Sequence, residues 1–206
     1  MAWGKNGTPD TLGSAGDDMD ITDLTANKFN MFLEHYTTTG GTATNKLTFN
    51  NNTSAVYAHR YEANGGTDVT GVSKTNMTLY YGGTQDTFCV LYVCSISGEE
   101  KLGISDVVDY GAAGAGTAPN RLNRVEKFVP SPDADITRID CNNDAAGSFN
   151  TSSNISALGS DMTPAAAIPF AENVQVGTRA EITDTRKIYH RDDVDFKEEN
   201  GNEATN

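Results

Sequence analysis

A chain of 206 residues with 28 acids against 15 Lys and Arg, and a net charge of -13, lacks the clustered bases needed to hold a phosphate backbone, so no nucleic-acid partner is expected. No apolar run approaches the roughly 20 residues of a spanning helix, which argues against a membrane partner. The length suits one large all-β domain with appendages, and Met1 to Lys5 offers no apolar signal core, so synthesis in a cytoplasm is expected.

Residues 1–16, rich in Gly, Thr and Ser, read as an extended arm too poor in apolar residues to fold alone. Trp3 is its exception, a plug for its own domain or for a neighbouring subunit. Asp17, Asp18, Asp20 and Asp23 surround Met19, Ile21 and Leu24, which alternate as a short strand. The acids lack the order of an EF-hand loop, so they read as a solvated strand edge and no metal is expected.

Residues 28–36 fit a strand through Phe29, Met31 and Leu33, although Phe32 and Tyr36 also suit a helical face; strand is the preferred reading. A turn-rich loop at 37–44 leads into a strand holding Leu47 and Phe49, which Asn50 to Thr53 breaks. Val56, Tyr57, His59 and Tyr61 make the next strand, and Val72 to Tyr81 another.

Phe88 to Ile96 is the stretch around which the chain is expected to be organised. Phe88, Val90, Tyr92, Cys94 and Ile96 share one face and Cys89, Leu91 and Val93 the other, so neither face suits water and the strand is predicted to be central and buried. A polar turn at Ser97 to Glu100 precedes a returning strand on which Leu102 and Ile104 face the core and Lys101, Gly103 and Ser105 face out. Gly111 to Gly116 lacks a phosphate-loop ending and reads as a surface loop. Arg121, Arg124 and Lys127 follow on a strand that spreads them over both faces. Ile136, Ile139 and Cys141 mark a further strand, and Ile155, Ala157 and Leu158 the last of the body. Beyond a proline-bounded linker starting at 161, a charged tail carries Ile182, Ile188, Tyr189 and Phe196, too few apolar residues for a core of their own.

Catalytic signatures do not assemble. His35, His59 and His190 have no ligand spacing, Glu99 and Glu100 point apart on a turn, and no nucleophile elbow or dinucleotide fingerprint occurs, so neither an enzyme nor a cofactor is expected. Cys89 and Cys94 fall on opposite faces of one strand and cannot bridge, which leaves Cys94 with Cys141 as the open pairing.

Three segments resemble a recurrent pattern in structural proteins of tailed viruses of marine microbes. They are Leu47-Thr48-Phe49-Asn50-Asn51-Asn52-Thr53 with Val56-Tyr57-Ala58; the buried strand running into Ser97-Gly98-Glu99-Glu100-Lys101-Leu102; and Ala134 to Asp140 with Gly147-Ser148-Phe149 and Ser153 to Gly159. Asp184 to Tyr189 and Asp195 to Glu199 are similar to segments of such proteins as well. The resemblance implies a jelly-roll-like antiparallel β-sandwich exposed on a virion, and it carries over no active-site residue. The expected layout is an N-terminal arm at 1–16, a sandwich at 17–160, and a linker and assembly tail at 161–206.

The resulting expectation is a non-enzymatic protein of the virion surface, a capsid decoration or minor capsid subunit, whose partners are other copies of itself and other virion proteins. Trp3, Ile182, Ile188, Tyr189 and Phe196 are its assembly residues. The alternative is a carbohydrate-binding domain of a tail or head fibre, with Tyr57, Tyr61, Tyr80 and Tyr81 stacking on a host-surface glycan. A polysaccharide depolymerase is the third reading.

Overall fold

The computed structural model describes residues 3–83, 86–130, 134–162, 179–182, 187–191 and 196–198. Among them every regular element is a strand and the pairings are antiparallel. The chain divides into two compact units, Met1–Thr163 and Pro164–Asn206.

The first unit begins with β1 (Gly4–Lys5), β2 (Asp10–Thr11), β3 (Asp18–Ile21), β4 (Asn27–Tyr36) and β5 (Thr38–Thr39). It continues with β6 (Ala43–Phe49), β7 (Tyr57–Ala63), β8 (Val69–Lys74), β9 (Met77–Gly83) and β10 (Thr87–Cys94). β11 (Lys101–Asp109), β12 (Asn120–Phe128), β13 (Ile139–Asn142), β14 (Ser148–Phe149) and β15 (Asn154–Met162) complete it. One sheet has the order β1-β15-β4-β10-β11-β12-β7-β8, with β2 also on β15, and a second has the order β3-β13-β6-β9. Four pairs are nested in sequence: β4 with β15, β6 with β13, β7 with β12, and β10 with β11.

Side chains of both sheets share one apolar core. Phe49 of β6 meets Phe32 of β4 at 5.8 Å and Phe128 of β12 at 5.6 Å between ring centroids, and Tyr57 of β7 stacks on Phe128 at 4.9 Å. Asn50 and Asn51, at φ 54° and 51°, turn the chain after β6 in a left-handed conformation that asparagine tolerates, so the expected break falls there. The Asn50 carboxamide then accepts from the backbone of Thr137 at 2.9 Å and Arg138 at 3.1 Å, which fastens the turn to the approach to β13.

β10 is central in its sheet, with β4 and β11 on either side, yet it is not buried on both faces. Cys89, Leu91 and Val93 are buried, while Phe88 and Tyr92 are each 44 % exposed, because the four-stranded sheet covers only the inner side. The same inversion runs through its neighbours. On β4 the buried set is Asn30, Phe32, Glu34 and Tyr36, not Phe29, Met31 and Leu33. On β11 Lys101, Ser105 and Val107 are buried, while Leu102 and Ile104 are 57 % and 56 % exposed. Lys101 is accommodated because its Nζ donates to Ile96 O at 2.6 Å and Glu99 O at 2.8 Å.

The single strand expected over Val72 to Tyr81 is two strands in different sheets. Ser73 at φ 52° and the bend at Thr75-Asn76 carry the chain from the edge of the larger sheet to the edge of the smaller one. The residues expected to form a free arm pair instead with the chain's own β15: Asn6 N donates to Ala157 O and Leu12 N to Ser153 O, both at 2.9 Å.

The second unit contains β16 (Arg179–Ile182), β17 (Lys187–Arg191) and β18 (Phe196–Glu198), paired in chain order as an antiparallel three-stranded sheet.

Candidate functional site

The inner face of the larger sheet is apolar along most of β10, mixed along β4, where Asn30 and Glu34 flank Phe32, and more polar along β11, β12 and β7. Register places Phe32, Leu91, Ser105, Arg124 and Tyr61 in one row, and Asn30, Val93, Gly103, Glu126 and His59 in the next. Arg124 is 2 % exposed and its guanidinium lies over the Tyr61 ring at 4.7 Å. Glu126 beside it is pushed up to about 7 by burial, against the pull of Arg124 and Ser105. His59 is pulled down to about 4 by burial and by the positive charges of Arg124 and Lys74.

A second buried acid, Glu34, accepts from Asn45 Nδ2 at 2.6 Å. Burial pushes its carboxyl up to about 7, with the bonds from Asn45 and Cys141 opposing. The Cys89 and Cys141 thiols are in turn raised well above the ordinary thiol range, first by burial and then by Glu34, so both are protonated and unreactive at neutral pH. All three cysteines are free, with Cys141 inside near Cys89 and Cys94 on the opposite face of β10. Sequence reading missed Glu34 and Glu126. The available signal was parity, since Glu34 alternates with Phe32 and Tyr36, and Glu126 with Leu122 and Phe128.

Of the tyrosines expected at a ligand rim, Tyr57 is a core residue. It is 1 % exposed, its hydroxyl accepts from Phe49 N at 3.0 Å and donates to Asn52 O at 2.9 Å, and no ring face is left for a sugar. Tyr61 is half-buried beneath Arg124. Tyr80 and Tyr81 belong to β9, and their side chains lie outside the description. Ile182 falls on β16, Ile188 and Tyr189 on β17, and Phe196 on β18, again with side chains outside the description. Arg121 and Lys127 face outward and Arg124 inward, the division that strand periodicity requires.

The four N-terminal acids are engaged one by one. Asp17 accepts from Asn143 Nδ2 at 3.0 Å, Asp18 from Asn142 Nδ2 at 2.5 Å, Asp20 from Arg138 at 2.9 Å, and Asp23 from Thr8 N at 2.8 Å. The backbone bond from Thr8, assisted by its hydroxyl, holds Asp23 below the usual carboxylate range.

The outward face of the larger sheet is the other distinctive surface. Register lines up Leu158, Met31, Tyr92, Ile104 and Val125 in one row across β15, β4, β10, β11 and β12. Phe29, Cys94 and Leu102 form the next row, and Phe88 and Val108 lie two rows away on the other side. Trp3, 42 % exposed, stands over this face and joins Phe29, Tyr92, Cys94, Leu102 and Ile104 around an apolar depression of about 260 Å3. Compared with protein-family models, curated proteins and solved structures, the chain has no match.

Proposed function

We propose that the chain is a non-enzymatic structural protein of a virion surface, a capsid decoration or minor capsid subunit, built as a jelly-roll-like β-sandwich. The observation that carries this reading is the apolar outward face of the larger sheet, on which Leu102, Ile104, Val125, Tyr92 and Phe88 are each about half exposed. A continuous apolar patch of that kind marks a surface completed by a partner. The nested pairs support the jelly-roll part of the reading, since a jelly roll is a long antiparallel hairpin rolled on itself. The virion part rests on the motif resemblance, whose strand-and-turn segments coincide with β6 and its turn, the β10–β11 hairpin, and β15.

The glycan-binding alternative loses Tyr57 to the core, and Tyr61 is half-buried with one ring face taken by Arg124. Mass spectrometry of gradient-purified particles tests the main reading. The protein is expected to co-purify with capsids at a fixed stoichiometry. Its absence from capsid shells, with presence in the tail or fibre fraction and binding to a glycan array, would replace the decoration role by the adhesin one, and absence from particles altogether would remove both.

A further inference from the structure

We propose that the outward face of β15, β4, β10, β11 and β12 is the surface on which a second copy of this chain docks, giving a two-fold dimer in which the same apolar face is buried on both partners. The proposal rests on the assembly role above, and it names the surface and the occupant.

Sequence pattern alone demands cover here. Leu102 and Ile104 alternate with Lys101, Gly103 and Ser105 as a core-facing set would, yet the fold turns them out and buries the polar set. β10 is apolar on both faces, as a strand covered on both sides must be. Area fits a homodimer. Five strands about 4.8 Å apart and four rows about 6.8 Å apart give roughly 650 Å2 per copy, close to the ~800 Å2 per partner of a standard stable interface.

Charge selects the occupant. The chain carries -13, but at the margin of this face the ions are paired: Arg121 with Glu62 at 3.3 Å, Arg60 with Asp68 at 3.2 Å, and Lys127 with Glu100 at 2.9 Å. Within the face Asp106, between the Ile104 and Val108 rows, accepts from Asn123 Nδ2 at 2.6 Å. The rest of the face is apolar and its rim carries both signs, so a strongly basic partner finds little to pair with and a second copy meets little like-charge repulsion at the contact itself. A two-fold arrangement repeats each apolar contact and closes, so it does not propagate into a fibre. Trp3 and the depression beside it supply an aromatic anchor and a receiving pocket on the same surface.

Sedimentation of the full chain at a series of concentrations, with maleimide labelling of the native Cys94 thiol in the same samples, tests this. Cys94 is half-buried in the face, while Cys89 and Cys141 are buried in the core, so Cys94 is the thiol that reports. Expected is a reversible dimer whose formation slows Cys94 labelling at least tenfold as concentration rises. Ile104→Lys and Val125→Glu are expected to weaken dimerisation at least tenfold and to restore labelling, with circular dichroism unchanged. If a variant misfolds, the concentration dependence of labelling in the native chain decides. A monomer with freely labelled Cys94 at all concentrations overturns the proposal. So does protection of Cys94 that is independent of concentration, which would place the chain's own remaining segment on the face. A dimer unaffected by either substitution leaves the assembly reading standing and removes this face from it, whereas a dimer of the expected kind formed by a protein absent from particles does the reverse.

Discussion

Asn45 on β6 donates its Nδ2 to Oε2 of Glu34 on β4 at 2.6 Å, a buried hydrogen bond that joins the two sheets beside Cys141. Because burial holds Glu34 at about 7 against 4.5 in the unfolded chain, the folded protein retains a proton that the unfolded chain has released between those values. Stability from this group is therefore full below about 4.5 and declines as pH rises through 7. Glu126 behaves in the same way. Each accounts for roughly 3 kcal/mol over the window. His59, at about 4 against 6.5, acts oppositely and loses stability as pH falls through that range. Two acids outweigh one histidine, so the melting temperature should be higher at pH 6 than at pH 8.5. Glu34→Gln should match wild type at pH 5 and exceed it at pH 8.5. Parallel pH profiles for the two proteins would show that Glu34 does not titrate in the fold.

Tyr57→Phe keeps the ring stacked on Phe128 and removes the hydroxyl that accepts from Phe49 N. A buried N–H without an acceptor costs about 1–3 kcal/mol. Thermal denaturation should show that loss. A neutral Tyr57→Phe would place the hydroxyl in water and return Tyr57 to the list of ligand candidates.

Gly147 is set against the loop that connects β5 and β6, and a Cβ built there lies 2.4 Å from Gly41 O. The obstacle is backbone, which cannot step aside as a long side chain can, so Gly147→Ala should destabilise by about 1–3 kcal/mol. Gly13→Ala, where nothing lies within 4 Å, is the control and should change stability little.

Strand identity was readable from the sequence because β-branched and aromatic residues alternate through β4, β10 and β11, and the turns at Asn50-Asn51 and Gly98 carry residues that tolerate left-handed backbone. Which face points inward was not readable on β4 and β10, and on β11 the alternation of Leu102 and Ile104 with Lys101 and Ser105 pointed the wrong way. Phe29, Met31 and Leu33 compete with Phe32 and Tyr36, and both faces of Phe88 to Ile96 are apolar, so parity alone ties and the position of the second sheet decides. The buried acids were hidden for a related reason. Glu34 looks like a solvent residue until Asn45 arrives from another strand, and Arg124 and Glu126 look like surface charges until β12 is known to turn that parity inward. Tyr57 could not be told from a rim tyrosine, since its partners Phe49, Asn52 and Phe128 meet it only in the fold.

The facing of β10 gives a sharp comparison between neighbours. Leu91 is 1 % exposed and Tyr92 44 %. Leu91→Ala should cost about 2–5 kcal/mol through transfer and cavity terms. Tyr92→Ser should leave the stability of the monomer within about 1 kcal/mol of wild type, as a surface substitution does. Denaturant titrations of the two variants, at a concentration low enough to exclude self-association, check this. Equal and large losses would mean that the outward face is covered within the monomer.

Truncation separates the contributions of the two ends. Met1–Thr163 is a compact unit containing the whole shared core, so a chain ending at Thr163 should unfold cooperatively with an unchanged midpoint. Removing residues 1–16 should not be neutral. Asn6, 3 % exposed, accepts from Thr25 N at 2.8 Å and donates to Asn30 Oδ1 at 3.1 Å, and the segment adds backbone bonds to Ala157 and Ser153 of the chain's own sheet. Losing several such bonds at about 1 kcal/mol each, and leaving Asn30 with fewer partners, should lower stability by about 3 kcal/mol or more. Amide hydrogen exchange across β15 reports the mechanism, with faster exchange along Ile155 to Gly159 expected in the deleted protein. Unchanged protection there, with an unchanged midpoint, would mean that the N-terminal segment does not hold the edge of the sheet in solution.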